Sequence, residues 1–578
     1  MLRYLPFLLL LFGLSAQAQP DALWGHRFSV SDPIFSFGKN LKFNDIATDD
    51  NGHLYLLGFH RAALLLNGDT ISSPYDGAQT GFLMKMTTEG ELQWYRRLTM
   101  GNMKAVQWQN GTVYVAGEIA PAEFGPLRIQ SGADNSTITL LGEGNSDIFL
   151  ARYDEAGTLL STARFGGPDS DNLAKGDLVQ DMIVDANGQL YFCGSYHRDF
   201  SLGDGLSLTE PSNRGKTFYL AALNEDLSPR WLQRIDSPLP TDGGNAEGLA
   251  LALSGNRVSV ALGYSAGGII LDDEVLLNDN QQGDRGCLLI QYDQNGNRQW
   301  FRNLEPEEGL IIPFALEASE DGQLYLGFSH EQQVLIDEAH TLEYLEAEDE
   351  LLKTGIVSFS NEGEFQWGKA FFFSDADLDL GGTTGDLFFS GATFRTSVAF
   401  SSGYSLDFDG PGSTSLWGRL GADGSLRWAD KPETPADPPF STSHQSCADD
   451  DAHIYISANF NEDLLFRPDI ALDNGYGSDD FDALYLVRVN NTDLTPAREA
   501  ERVEALKAFP NPTAGETTLE VPAPTLLQLW SSRGELLQQH QAQPGLFRLS
   551  LQGVPAGIYT LTGKSEKGLY RTRLIKAR

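Results

Sequence analysis

At 578 residues, with 41% hydrophobic and 11% aromatic side chains, the chain can bury an ample core without cross-links, which excludes a disordered protein. Its formal charge of −38 is unevenly spread: residues 19–497 hold 29 basic against 72 acidic side chains, a net of −43, whereas residues 498–578 carry a net of +4. Such an acidic surface repels phosphate backbones, excludes nucleic acid as a partner and keeps the chain soluble.

The first residues read as an export signal. Arg3 supplies the positive start, Leu5 to Leu14 the apolar stretch, and Ala16-Gln17-Ala18 the small-x-small cleavage pattern. Residues 1–18 are therefore expected to be a signal peptide, with the mature chain starting at Gln19. No Cys follows the cut, which argues against a lipoprotein. No later stretch reaches 18 continuous apolar residues, so no membrane span is expected. Cys193, Cys287 and Cys447 are an odd count in an exported chain, each within an apolar strand pattern, and read as small buried hydrophobes.

From residue 45 onward a motif recurs, with a short apolar strand, a turn and an alternating strand. It reads NGHLYLLG at 51–58, NGTVYVAG at 110–117, NGQLYFCG at 187–194 and NRVSVALG at 256–263. It continues as DGQLYLGF at 321–328, TGDLFFSG at 384–391 and DAHIYISA at 451–458. Asn-Gly and Asp-Gly tolerate positive φ, so each copy is expected to turn as a tight hairpin. Most copies have a strand ending in Asp upstream, as in 45–49 and 182–185.

A second hairpin follows in each unit, exemplified by 81–98, 147–165, 286–304 and 354–371. Its last strand carries Trp94, Trp231, Trp300, Trp367 or Trp428, with Ser161 in the second copy. One Trp per unit in the outermost strand is expected to pack between neighbouring units rather than to form a sugar-stacking platform. The stretches between the two hairpins alternate as well, for example Phe200 and Leu202 before Leu206 and Leu208, and predict strand-like extensions. The seventh unit ends without a Trp strand, and DALWGHRF at 21–28 supplies the missing piece. An all-β fold follows: a seven-bladed β-propeller over 19–495 with four-stranded blades, the last blade closed by the N-terminal strand. The repeats are similar to bacterial β-propeller repeats of the D-x-x-G-x-L/V-Y-x-x-G type, a resemblance that implies fold and leaves activity open. Copies four and seven depart from it at Ser259 and Ala458.

After a polar linker at 496–504, six or seven short strands in residues 505–578 predict a small Ig-like β-sandwich. This segment resembles the type A sorting domain of the type IX secretion route of Bacteroidetes-type bacteria. The likeness rests on Phe509-Pro510-Asn511-Pro512-Thr513 with Gly515, the strand around Arg533-Gly534, Val554 to Tyr559, and a basic last strand ending in Lys576 and Arg578. It implies export across the outer membrane, the type IX machinery as a partner, and a secreted or cell-surface location.

Chemistry-bearing patterns are sparse. Gly263-Tyr264-Ser265-Ala266-Gly267 fits G-x-S-x-G but lacks the following helix a nucleophile elbow needs. His60, His197 and His330 recur at equivalent positions in copies one, three and five, which ancestry explains better than a metal site. Asp375, Asp377 and Asp379, the run Asp449-Asp450-Asp451, and Asp479-Asp480 with Asp482 read as acidic loops without calcium-loop spacing. No catalytic, cofactor-binding or metal residue is assigned and no cofactor is expected, a structural calcium being the one open option. Ligand sites are expected at the blade-connecting loops 99–104, 166–178, 236–246, 305–313, 371–376 and 430–446. The resulting expectation is a non-enzymatic surface binding protein for an extracellular polysaccharide or protein. A polysaccharide-degrading enzyme and a ligand-free spacer are the alternatives.

Overall fold

The computed structural model describes residues 22–576 apart from 32–39, 73–78, 144, 169–175, 197, 210–216, 236–248, 266–268, 272–273, 277–284, 343–352, 382–384, 402–403, 409–413, 434–440, 450–452, 462, 467–469, 473–482, 491–503, 506, 511–512, 514, 522, 531–535, 556 and 566–567. Residues 1–18, expected to be a signal peptide, thus lie outside the described part. Contacts divide the chain at Thr492/Asp493 into two compact units.

Turn chemistry sets the first hairpin of each repeat. Asp49 accepts the N–H groups of Asn51 and His53 at 2.9 and 3.0 Å, and Asp185 accepts those of Asn187 and Gln189 at 2.9 and 2.8 Å. The capped turn puts only its glycine in the left-handed region, as at Gly52 and Gly188. The expected two-residue Asn-Gly turn, with both residues at positive φ, occurs at Asn110-Gly111 and not at Asn51-Gly52. The upstream Asp explains the difference, because its side chain holds a longer loop.

Four antiparallel strands then build each blade. In blade 1 they run outward as Leu41–Thr48, Leu54–His60, Thr80–Met86 and Leu92–Thr99. Blades 2 to 6 repeat the order. Blade 7 combines Ser441–Ala448, His453–Phe460 and Ala483–Asn490 with the N-terminal strand Ala22–Val30, which pairs Trp24 with Arg488 and Phe28 with Leu484. Successive innermost strands lie side by side, and that of blade 7 returns against that of blade 1. The fold is a seven-bladed propeller closed by its first strand.

Its core is divided rather than central. Among the described residues, seven buried apolar clusters occupy the seven junctions between blades. At five junctions a fourth-strand indole lies on the outer-turn glycine of the next blade: Trp24 on Gly90, Trp94 on Gly157, Trp231 on Gly296, Trp300 on Gly363 and Trp367 on Gly424. Each indole N–H donates to the carbonyl two residues before that glycine at 2.8–2.9 Å. A Cβ on the glycine would stand 2.7–3.2 Å from the ring, so indole and glycine need each other. The second junction supports this: Ser161 replaces Trp, and the turn position holds Leu227 at φ 68, buried in the cluster between blades 2 and 3. The repeated Tyr has a parallel task, since Tyr325 and Tyr455 donate to Gly385 O and Gly52 O of the following blade at 3.1 and 2.9 Å.

The stretches between second and third strands form hairpins, and among the described residues three of them belong to the neighbour's sheet. Leu64–Leu66 pairs with the outer strand of blade 7, Leu127–Gln130 with that of blade 1, and Val334–Asp337 with that of blade 4. They cover edges of the preceding blade instead of extending their own.

The C-terminal unit is a sandwich of a five-stranded and a three-stranded sheet. Leu519, Leu527, Leu549, Leu561 and Leu574 fill the space between them. The resemblance-bearing residues serve this fold directly. Tyr559 donates to Pro555 O at 2.7 Å, Lys576 Nζ donates to Leu551 O at 2.8 Å, and Thr513 N donates to Ile575 O at 2.8 Å.

Candidate functional site

The outer strand of blade 1 meets the hairpin of blade 2 only at Leu98–Ile129 and Thr99–Arg128. Below that contact the two diverge and leave an open cleft of about 990 Å³ at the rim of the propeller. Trp94, Tyr95, Arg96, Arg97, Asn135 and Glu155 are among its lining residues. The expected loops around the central channel do not form it, and among those loops 169–175, 236–246 and 434–440 lie outside the described residues.

Side chains replace a partner strand along the cleft. Arg97 N donates to Gln130 Oε1 at 3.1 Å, and Gln130 Nε2 donates to Asn135 Oδ1 at 3.0 Å. Arg96 spans the blade junction, donating to Tyr95 O at 2.9 Å, Gly157 O at 2.6 Å and Ala156 O at 3.0 Å. Its guanidinium lies 5.1 Å from the Trp94 ring centroid, so the cation and the indole fix each other. Tyr95 OH lies 2.7 Å from His60 Nε2, and burial raises the phenol pKa, which keeps that hydroxyl protonated. Successive residues of this strand face opposite ways, so Trp94 and Arg96 are engaged against blade 2 and Tyr95 against His60, while Arg97, Asn135, Glu91 and Glu155 complete the lining.

His60 and His330 do not converge. Each ring ties its strand end to a nearby carbonyl, Ala62 O at 2.6 Å and Gln332 O at 2.8 Å. Burial lowers both to about 4 and holds them neutral. His197 lies outside the described residues. Ser265 closes the strand Arg257–Ser265 opposite Arg285, and the rest of its motif, 266–267, is not described. All three cysteines are buried, which pushes their thiols up.

The acidic triplet at 375–379 departs from expectation. Asp377 and Asp379 stand in the innermost strand of blade 6, Ser374–Gly381, rather than in a loop. Asp377 Oδ2 accepts the N–H of Ser446 in blade 7 at 2.7 Å, and Asp379 accepts that of Ala448. Asp449 caps a turn position with His453, and Asp450, Asp451, Asp479, Asp480 and Asp482 are not described. Among the described residues no group of three His, Cys, Asp or Glu side chains is placed to hold a metal ion. No helix of the described residues is long and apolar enough to cross a membrane.

Sequence reasoning missed the rim cleft, because no local pattern marks where two strands part. It also missed that Asp45 and Asp181 point to the next blade, although each stands four residues before a turn-capping Asp, a repeat-level signal.

A propeller joined to a separate β-sandwich with a pinned basic last strand defines the protein as a repeat ring carrying a small C-terminal module. Residues 507–577 match the family described as secretion system C-terminal sorting domain. The C-terminal unit is therefore a sorting domain of the type IX route, which takes the protein to the cell surface or releases it. No curated protein sequence matches the chain. A Dyadobacter fermentans protein of unknown function is similar in structure, at 10% identity and TM-score 0.33, over 68% of this chain and 95% of that one. PorZ of Porphyromonas gingivalis, described as an essential bacterial surface component of the type IX secretion system, aligns at 10% identity and TM-score 0.13, over 95% and 100%. An acylaminoacyl peptidase of Pyrococcus horikoshii aligns at 9% identity and TM-score 0.29, over 74% and 59%. The propeller assignment stands on the strand pairing above.

Proposed function

We propose that the protein is a non-enzymatic recognition protein that binds a hydroxyl-rich chain, an extracellular polysaccharide, in the rim cleft of blades 1 and 2. The observation that carries this reading is the cleft lining: the side chains of Gln93, Arg97 and Asn135 with the carboxylates of Glu91 and Glu155 along one open strand edge. Sugars expose both donors and acceptors, so a guanidinium, amides and carboxylates side by side suit them. An open groove accepts a long chain, whereas a closed pocket suits a small molecule.

The full secreted protein on a glycan array tests the reading. A polysaccharide hit should weaken at least tenfold in Arg97→Ala and Asn135→Ala with the fold retained. A blank array, or hits that ignore both substitutions, would overturn it. Product formation from the bound glycan would instead favour the polysaccharide-degrading alternative.

A further inference from the structure

Away from the rim cleft, one register position sets blade 2 apart from the other blades. The third strand of each blade begins opposite the end of the second, and in blade 2 the residue there is Asp147, opposite Ile119. Blades 1, 3 and 6 carry Thr80, Thr217 and Thr414 at this position, blades 4 and 5 carry Arg285 and Lys353, and blade 7 carries Ala483. Asp147 is fully buried. So is Asp177, which precedes the innermost strand of blade 3, Leu178–Val184.

The two carboxyls meet at Gly166, in the connection between these blades. A Cβ on that glycine would stand 2.1 Å from Asp147 Oδ1 and 2.9 Å from Asp177 Oδ2, so both oxygens face a cradle that any side chain would fill. Gly166 has φ 147, which suits glycine alone. Most bonds of the pair are made within the protein. Asp177 Oδ2 accepts Gly167 N at 3.0 Å, and Asp147 Oδ2 accepts Glu143 N and, at 2.8 Å, Arg164 Nε. Arg164 also reaches Glu143 at 3.0 Å, so its charge is shared between two carboxylates, and Lys104 pairs with Glu118 at 3.3 Å. Asp147 Oδ1 is the exception: the atom is buried, has no hydrogen-bond partner and points into the cradle. A buried carboxylate oxygen without a donor marks the place of a missing ion or proton, because desolvating it bare is costly.

We propose that Asp147 and Asp177 hold a calcium ion that ties blade 2 to blade 3. The donors are carboxylate oxygens, which suit a hard cation, and bonds of about 2.4 Å let one ion bridge two oxygens so placed. Two carboxylates leave the rest of the shell to water and main-chain carbonyls. Such a shell gives the weak affinity of extracellular modules, and the sorting domain takes the chain outside the cell. The site also lies where the ring lacks its recurrent tie, since Ser161 and Leu227 replace the indole and the glycine at this junction.

Calcium titration of the chelator-treated full chain, read by thermal unfolding, tests the site. Calcium at about 5 mM, above the affinity range of such modules, should raise the wild-type midpoint by about 2–5 °C. Asp147→Thr installs the residue that blades 1, 3 and 6 carry and should fold. Both it and Asp177→Asn should lose most of the rise and shift the half-effect concentration at least tenfold upward. Terbium gives a direct reading, because Tyr219 donates to Leu178 O at 2.9 Å, next to Asp177. Tyrosine-excited terbium emission should appear in the wild type, fall as calcium is added and drop at least tenfold in Asp177→Asn, which carries the comparison alone should Asp147→Thr not fold. A wild-type midpoint blind to calcium, or a rise retained in the variants, would overturn the proposal. So would a midpoint that answers pH and not calcium, the mark of a proton shared by the pair.

Discussion

Single residues in this propeller act across blade boundaries more than within blades. The indole–glycine contact makes the point quantitatively, because Gly157 has φ 76 and an added Cβ would stand 2.9 Å from Trp94. Gly157→Ala should therefore cost about 1–3 kcal/mol, from strain and overpacking together. In a Trp94→Ser background the same change should cost clearly less, as the native Ser161 and Leu227 pair foreshadows. A double-mutant cycle in denaturant measures that coupling, and strict additivity would contradict it. Buried imidazoles supply a second residue-scale effect. His60 and His330 have folded values near about 4, below the ordinary 6.5, so their stabilisation is present above pH 6.5 and lost as pH falls toward 4. His60→Gln, which keeps a donor for Ala62 O, should reduce the drop in unfolding midpoint between pH 6.5 and 4.5. An unchanged drop would mean other groups carry it.

At the scale of elements, the first strand is the part without which the ring has two open edges. Ala22–Val30 covers the third strand of blade 7 and in turn receives the hairpin of blade 1 through Leu64–Leu66. Removing residues 22–30 should expose Ala483–Asn490 and convert a closed propeller into self-associating or partly unfolded material. Size-exclusion chromatography with light scattering checks this, and a monomer of unchanged stability would refute it. Strand alternation, turn residues and the Trp spacing made blade number and closure readable in the chain, because each depends on local chemistry repeated seven times. Hairpin ownership was not readable. Nothing in Leu127–Gln130 says that it completes blade 1 instead of blade 2, since an edge strand pairs with whichever edge the ring brings near.

For the whole molecule, charge and export divide along the domain boundary. The acidic propeller and the +4 segment from 498 onward form separate compact units, and the sorting family covers 507–577. Deleting 505–578 should leave the propeller's unfolding transition unchanged and retain the protein in the periplasm. Normal secretion of the truncated chain would contradict the export assignment.

The amino-acid order by itself determined the all-β class, the seven repeats, the closing strand and the sorting module, because turns, alternation and short motifs are local and need no knowledge of neighbours. Only tertiary structure decided where the outer strand of blade 1 and the hairpin of blade 2 part to open the rim cleft, and that Asp377 and Asp379 bond to the backbone of the next blade. Those features arise where residues about thirty to seventy positions apart are brought together by the packing of neighbouring blades, and no short window along the chain contains that information.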